Sequence, residues 1–391
     1  MAAEYGARLT QPWWRQVWRL WQTWSYQAET TRDLRLDFLR GFCIFMMIVD
    51  HIAGPSWLHT ITGGNSFYVS AAEGFVFISG LLLGIVYRPI LEKQGFGAAL
   101  KKVLLRAWKI YLLMVVLTVG FHYGSWAAGL AWPSPDELSR PVSFVWSVLT
   151  FGRTFFITDI LVMYTLLLVG APIAFWMLRH GSTWLLLICS WSLWGLYQVN
   201  PELASQPLTT INAFHPATWQ IFFVNAMVLG YHRKRVIEAL SGLHWVIFVL
   251  SGSLFLTLLV IYLTQGGVFN IFFEEEVFMH PWITEMTIKD PLRPGRIIAA
   301  LAVFPFAYLL LTYLWKPLST IGSWLIMPLG QHSLYAYTMH VPLLIFDNLV
   351  LPDSAGMTFA GQSVNAFAQL VGVFMIWFLI KRRFLFSVVP Q

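Results

Sequence analysis

Long runs of apolar residues recur along almost the whole chain, and they constrain its fold more than any other feature. A run of about 18 residues or more can cross a lipid bilayer as a helix. We place ten runs, at residues 37–53, 66–87, 103–122, 155–178, 182–199, 216–231, 243–264, 297–315, 332–350 and 362–380. Charged residues make up only 11% of the chain, which is too few to cover a soluble core. The sequence therefore predicts an all-α polytopic membrane protein with about ten transmembrane helices.

The basic residues between these runs predict how the helices are oriented. With the N-terminus in the cytoplasm, most of them fall in cytoplasmic segments: Arg88, Lys93, Lys101, Lys102, Arg106, Lys109, Arg179, residues 233–235, Lys316 and residues 381–383. This is the positive-inside pattern, and we therefore expect both termini in the cytoplasm. Because the charges lie in short clusters rather than on one polar face, we expect no nucleic-acid partner.

The predicted organisation is one membrane domain at residues 36–383, preceded by residues 1–35 and followed by a cytoplasmic tail at 384–391. The first segment alternates tryptophans with arginines, which is typical of an amphipathic helix in the headgroup layer. Membrane anchoring and partner binding both fit it. Two outer loops, at 123–154 and 265–295, either shape a binding cleft or serve only as connectors.

Ionisable residues are concentrated in the first run, where each costs at least a few kcal/mol and is a functional candidate. It contains Asp37, Arg40, Asp50 and His51. At about 100° per residue, Asp37, Arg40 and His51 share one helix face. Arg40 and His51 lie about 16 Å apart along the axis, so one extended ligand could meet both. The alternative is that Arg40 pairs with Asp37 as an anchor and that His51 is an interfacial residue.

The second run carries an acidic residue, Glu73, near small residues such as Gly74 and Gly80 that permit close helix packing. A buried carboxylate needs a partner. His51 or Arg40 is the expected partner, and a neutral Glu73 bonded to the backbone is the alternative.

Basic and aromatic residues alternate at the start of the third run. Lys102, Arg106 and Lys109 are interleaved there with Trp108 and Tyr111. Arg106 and Lys109 are one helical turn apart, so both can reach one anion. A basic, aromatic-lined cytoplasmic entrance of this kind suits the phosphates of a nucleotide-like donor. The alternative is that these residues are ordinary positive-inside charges.

The sequence predicts no metal site. Cys43 and Cys189 lack CxxC spacing. His332 and His340 are offset by about 80° around one helix, so that helix cannot present both to a metal. Packing or hydrogen bonding is the favoured explanation for each histidine.

Five segments carry a family resemblance. They are RDLRLDFLRGFCIFMMIVDHIAG at 32–54, SAAEGFVFISGLLLGIVY at 70–87, RAWKIY at 106–111, AFHPATWQIFFVNAMVLGYHR at 213–233 and PLGQHSLYAYTMH at 328–340. In this order they resemble the OpgC-type proteins, members of the wider membrane acyltransferase superfamily. The superfamily signature of Arg, ten residues and His matches Arg40 and His51. Its cytoplasmic RxxR is not reproduced, because the chain reads RAWK at 106–109.

The resemblance implies an O-acyltransferase of the bacterial inner membrane. An acyl group, expected to be succinyl, would pass from cytoplasmic acyl-CoA to a hydroxyl of a periplasmic glucan or another glycan. Succinyl-CoA or acetyl-CoA would be the donor substrate, and we expect no permanently bound cofactor. Membrane lipids are the other expected partner.

The same resemblance suggests roles for the candidate residues. His51 would be the general base, with Asp50 or Glu73 orienting its ring. Arg40 would hold the donor's phosphates or polarise its carbonyl, helped by the basic residues Lys102, Arg106 and Lys109. An acyl-His51 intermediate fits equally well.

A transporter or flippase is the rival interpretation. It would use the buried groups Asp37, Arg40, Glu73 and Asp159 as a substrate and proton path. It predicts proton-coupled flux without acyl-CoA consumption.

Overall fold

The computed structural model describes residues 23–28, 32–130, 132–155, 157–202, 214–264, 281–351 and 358–389. Every regular element in these ranges is a helix. The helices are α1 (Leu34–His51), α2 (His59–Thr62), α3 (Ala71–Lys93), α4 (Phe96–Ala127), α5 (Pro135–Ser139), α6 (Pro141–Leu149), α7 (Asp159–Arg179), α8 (Thr183–Val199), α9 (Pro216–Tyr231), α10 (Arg233–Leu240), α11 (His244–Thr264), α12 (Pro281–Met286), α13 (Pro294–Tyr313), α14 (Trp315–Gln331), α15 (Ser333–Val350) and α16 (Phe359–Lys381). Most of the predicted N-terminal amphipathic helix, and residues 265–280 of the second long loop, lie outside the described residues.

The prediction of an all-α membrane protein is confirmed. Within the described ranges, six helices are long and apolar enough to cross a membrane: α3, α4, α7, α11, α13 and α16. The other four predicted spans are also helices, α1, α8, α9 and α15, but they have only 16 to 18 residues. The plan of ten spans and the cytoplasmic placement of both termini stay predictions.

Helix α14 lies between two of the predicted spans, in a stretch where the sequence pattern predicts no transmembrane helix. It was missed because its sequence, WKPLSTIGSWLIMPLGQ, contains two prolines and several polar residues and so has no long apolar run. It crosses α1 at a very short distance. A Cβ on Gly41 would lie 2.0 Å from the carbonyl oxygen of Ile326, and one on Gly330 would lie 1.8 Å from that of Asp37. Only glycine at both positions allows this crossing.

Helices α3 and α9 also pack through glycines, as the small residues of the second run predict. A Cβ on Gly80 would lie 2.2 Å from the carbonyl oxygen of Phe223, and one on Gly230 would lie 2.1 Å from that of Leu81. In a bilayer the hydrophobic effect does not drive helices together, because lipid tails are as apolar as the side chains. Close van der Waals packing at small residues stabilises the pair instead. The pair forms one wall beside α1.

The end of α1 that carries His51 is held by α15 and α16. Asp347 of α15 accepts a hydrogen bond from the backbone N–H of Ala53 at 2.7 Å. Gln369 of α16 is wholly buried, and its amide donates to the carbonyl of Gly54 at 3.0 Å. These bonds fix the chain immediately after the helix, so the position of His51 is set by three helices together.

The crossing of α1 and α14 gives a direct test of the fold. We expect Gly330→Ala to destabilise the protein by about 3 kcal/mol, because the added methyl meets the backbone of Asp37 and no side chain can move aside. Thermal unfolding in detergent measures the loss. Gly170→Ala in α7 is the matched control, since nothing lies within 4 Å of its Cβ position. Equal melting temperatures for the two variants would contradict the packing.

Candidate active site

Two cavities lie at opposite ends of α1. The polar lining of the histidine cavity consists of Asp50, His51, Asn65, Ser70, Lys289 and Tyr337. The charged lining of the basic cavity consists of Arg32, Asp33, Asp37, Arg40, Arg106 and Arg233. His51 belongs to the first and Arg40 to the second, and about 16 Å of helix axis separates these two residues.

A chain of hydrogen bonds ends at His51. His340 Nδ1 lies 2.6 Å from the carbonyl oxygen of Tyr337, and His340 Nε2 lies 3.1 Å from His51 Nδ1. A carbonyl only accepts, so His340 Nδ1 carries a proton. In the neutral ring, His340 Nε2 is then an acceptor, and His51 Nδ1 must be the donor. The network therefore assigns the tautomer of both histidines.

The consequence for His51 is a lone pair on Nε2. The His51 side chain is exposed to the cavity, and Nε2 has no hydrogen-bond partner among the described residues. His51 is also the last residue of α1. Its unprotonated Nε2 can therefore accept a hydrogen bond from a molecule in the cavity.

The two carboxylates suggested by the sequence as orienting groups have other partners. Asp50 lines the histidine cavity, but its carboxylate accepts from the hydroxyl of Thr62 at 2.7 Å. Glu73 is wholly buried, and it pairs with Arg296 Nε at 2.5 Å rather than with His51 or Arg40. The side chain bonded to His51 is instead that of His340, a residue for which the sequence favours packing or hydrogen bonding.

Arg40 lies deep in the basic cavity. One terminal nitrogen donates to the hydroxyl of Ser333, while the buried Nε has no partner. The predicted alternative, an Arg40–Asp37 anchor, does not form, because Asp37 is bound by Arg32 through two bonds of 2.6 and 2.7 Å. Arg40 thus keeps donor capacity for an anion in the cavity.

The three basic residues of α4 are used unequally. Arg106 lines the basic cavity. Lys102 is exposed and donates to the side chain of Gln94 at 3.2 Å, and Lys109 is exposed and is not part of the lining. The structure adds Arg233, which lines the cavity and pairs with Asp33 at 2.8 Å. Because Arg233 lies far from α1 in the sequence, the sequence pattern does not indicate that it lines this cavity.

The chain was also compared with known proteins. A family model described as OpgC protein matches residues 32–383. The chain belongs to the OpgC family. The match spans both cavities and confirms the resemblance carried by the five sequence segments. A search of curated proteins found no match. OpgC membership indicates an acyltransferase-type role in glucan modification.

The Glu73–Arg296 pair provides a test of whether Glu73 is structural. Both side chains are buried, at 0% and 4% exposure, so removing one charge leaves the other uncompensated at a cost of about 3–5 kcal/mol. We expect Glu73→Gln and Arg296→Met each to lower the unfolding temperature markedly. The double variant should be more stable than either single one. Additive losses in this double-mutant cycle would contradict the pairing.

Proposed function

We propose that this chain is an integral membrane O-acyltransferase of the bacterial inner membrane. It moves an acyl group, taken to be succinyl, from cytoplasmic acyl-CoA to a hydroxyl of a periplasmic glucan. The observation that carries the proposal is the His51–His340–Tyr337 hydrogen-bond chain, which presents an unprotonated His51 Nε2 to a cavity in a member of the OpgC family.

The basic cavity fits the donor. Arg40, Arg106 and Arg233 line one space, and guanidinium groups bind phosphate through charge-assisted, often bidentate hydrogen bonds. In the proposal, the CoA phosphates bind there, on the cytoplasmic side. The pantetheine arm then extends along α1 and brings the thioester to His51.

The reaction needs one base, used twice. His51 Nε2 takes the proton of the glucan hydroxyl as the oxygen attacks the thioester carbon. The tetrahedral intermediate then collapses with cleavage of the C–S bond, and the imidazolium returns its proton to the departing thiolate. Throughout, His340 Nε2 accepts from His51 Nδ1–H and holds the ring in this orientation.

Nucleophilic catalysis uses the same lone pair. An acyl-His51 intermediate would release CoA before the glucan binds and would give ping-pong kinetics. Direct transfer requires both substrates at once and gives sequential kinetics. Initial-rate patterns with varied donor and acceptor separate the two routes.

The transporter alternative has less support from the contacts. It relies on buried ionisable groups that change protonation, yet Asp37 is engaged by Arg32 and Glu73 by Arg296. Both carboxylates therefore already have a charged partner inside the protein.

The activity test uses the purified protein in nanodiscs with succinyl-CoA or acetyl-CoA, with and without a β-glucan. We expect acceptor-dependent CoA release that falls by about 10²–10⁴-fold in His51→Ala, since general-base catalysis contributes that much. His180→Ala, at an exposed histidine, should keep wild-type turnover. CoA release that persists in folded His51→Ala would contradict the assignment.

A second prediction concerns the orienting histidine. His340→Leu removes the acceptor for His51 Nδ1–H, and we expect kcat to fall about 10²-fold with little change in KM for acyl-CoA. His340→Gln retains both an acceptor and a donor, so it should keep at least about tenfold more activity than His340→Leu. Equal activity of the two variants, both folded, would show that the hydrogen bond does not matter.

A further inference from the structure

The histidine cavity contains one lysine in its lining, Lys289. Its ammonium donates to Oδ1 of Asn65 at 2.8 Å and lies 5.6 Å from the ring centroid of Phe214. Both neighbours are neutral. Among the described residues, no carboxylate forms a salt bridge with Lys289.

The carboxylates in this region accept from other donors. Asp50 binds the hydroxyl of Thr62, Glu73 binds Arg296, and Asp290 accepts from the indole of Trp219 at 3.4 Å.

Burial lowers the pKa of Lys289 below its ordinary value, and the charge of Glu73 offsets only part of this effect. An ammonium that borders a cavity and has no salt bridge to a carboxylate among the described residues gains stability from an arriving anion.

The substrates differ in what charge they can bring to this cavity. A glucan hydroxyl is neutral, and in the proposed binding mode the phosphates of CoA stay in the basic cavity, about 16 Å away along α1. The far end of the acyl group is therefore the part of the substrates that can carry a negative charge close to His51. An acetyl group has no such end, whereas a dicarboxylic acyl group has a free carboxylate.

We propose that Lys289 recognises the distal carboxylate of a dicarboxylic acyl group and so selects a succinyl-type donor over acetyl-CoA. This inference rests on the proposed acyl transfer at His51. Asn65 supports the recognition, because its Oδ1 accepts from Lys289 and its amide nitrogen is left as a second donor. Its backbone has φ of 58°, a conformation that asparagine tolerates better than most residues.

The role of the carboxylate charge on the acyl group can be tested in the wild-type protein by changing the donor. We would compare kcat/KM for succinyl-CoA, for its terminal methyl ester and for acetyl-CoA, with the same β-glucan. The expected result is at least a thirtyfold preference for succinyl-CoA over both neutral donors. Equal use of the ester and the free acid would overturn the proposal.

Substitutions then test the residue. Lys289→Met should lower kcat/KM for succinyl-CoA at least thirtyfold and for acetyl-CoA less than threefold, and Lys289→Arg should retain most of the preference. Lys316→Met is the matched control for loss of one positive charge, since Lys316 is exposed on α14. An equal loss for both donors in folded Lys289→Met would overturn the selective role.

The outcomes separate this proposal from the proposed function. If wild-type protein transfers acetyl as well as succinyl in a His51-dependent way, acyl transfer stands and the role of Lys289 is overturned. If neither donor is used, both proposals fall.

Discussion

The hydrogen bond between His51 and His340 is the interaction on which the proposed chemistry depends. It joins residues 289 positions apart in the sequence, and it links α1 to α15 at the rim of the histidine cavity. Since the carbonyl of Tyr337 fixes the proton on His340 Nδ1, the proton on His51 is fixed as well. In the proposed mechanism, a neutral histidine orients the general base, as a carboxylate does in many hydrolases.

The rest of the bundle serves to hold that pair in place. Glycines at the crossing of α1 and α14 bring the backbones together, and Gln369 and Asp347 bind the chain just after α1. The buried Glu73–Arg296 pair joins the start of α3 to α13 beside the same cavity. Because these contacts are polar and directional, they specify one arrangement of helices where apolar packing alone would allow several.

The sequence predicted a large part of this structure, for physical reasons that can be stated. Apolar runs report helices directly, and the rarity of charges in such runs singled out Arg40 and His51. Each of these two residues borders one of the two cavities. The hydrogen-bond and ion-pair partners on other helices could not be predicted from the sequence. His340 has no special spacing to His51, and Glu73 finds its ion pair on α13, so proximity in the sequence pointed to the wrong partner. Helix α14 was not predicted, because its contact with α1 depends on two glycines rather than on an apolar run.

In the proposed mechanism, the donor binds at the Arg40 end of α1 and the acyl group is transferred at the His51 end, across the membrane. Vesicles with the protein in one orientation test it most directly, with radiolabelled succinyl-CoA on the side of the basic cavity and a β-glucan sealed on the other. We predict labelled glucan in the compartment opposite the CoA, dependent on His51. Labelled glucan that forms only when donor and acceptor share one compartment would contradict it.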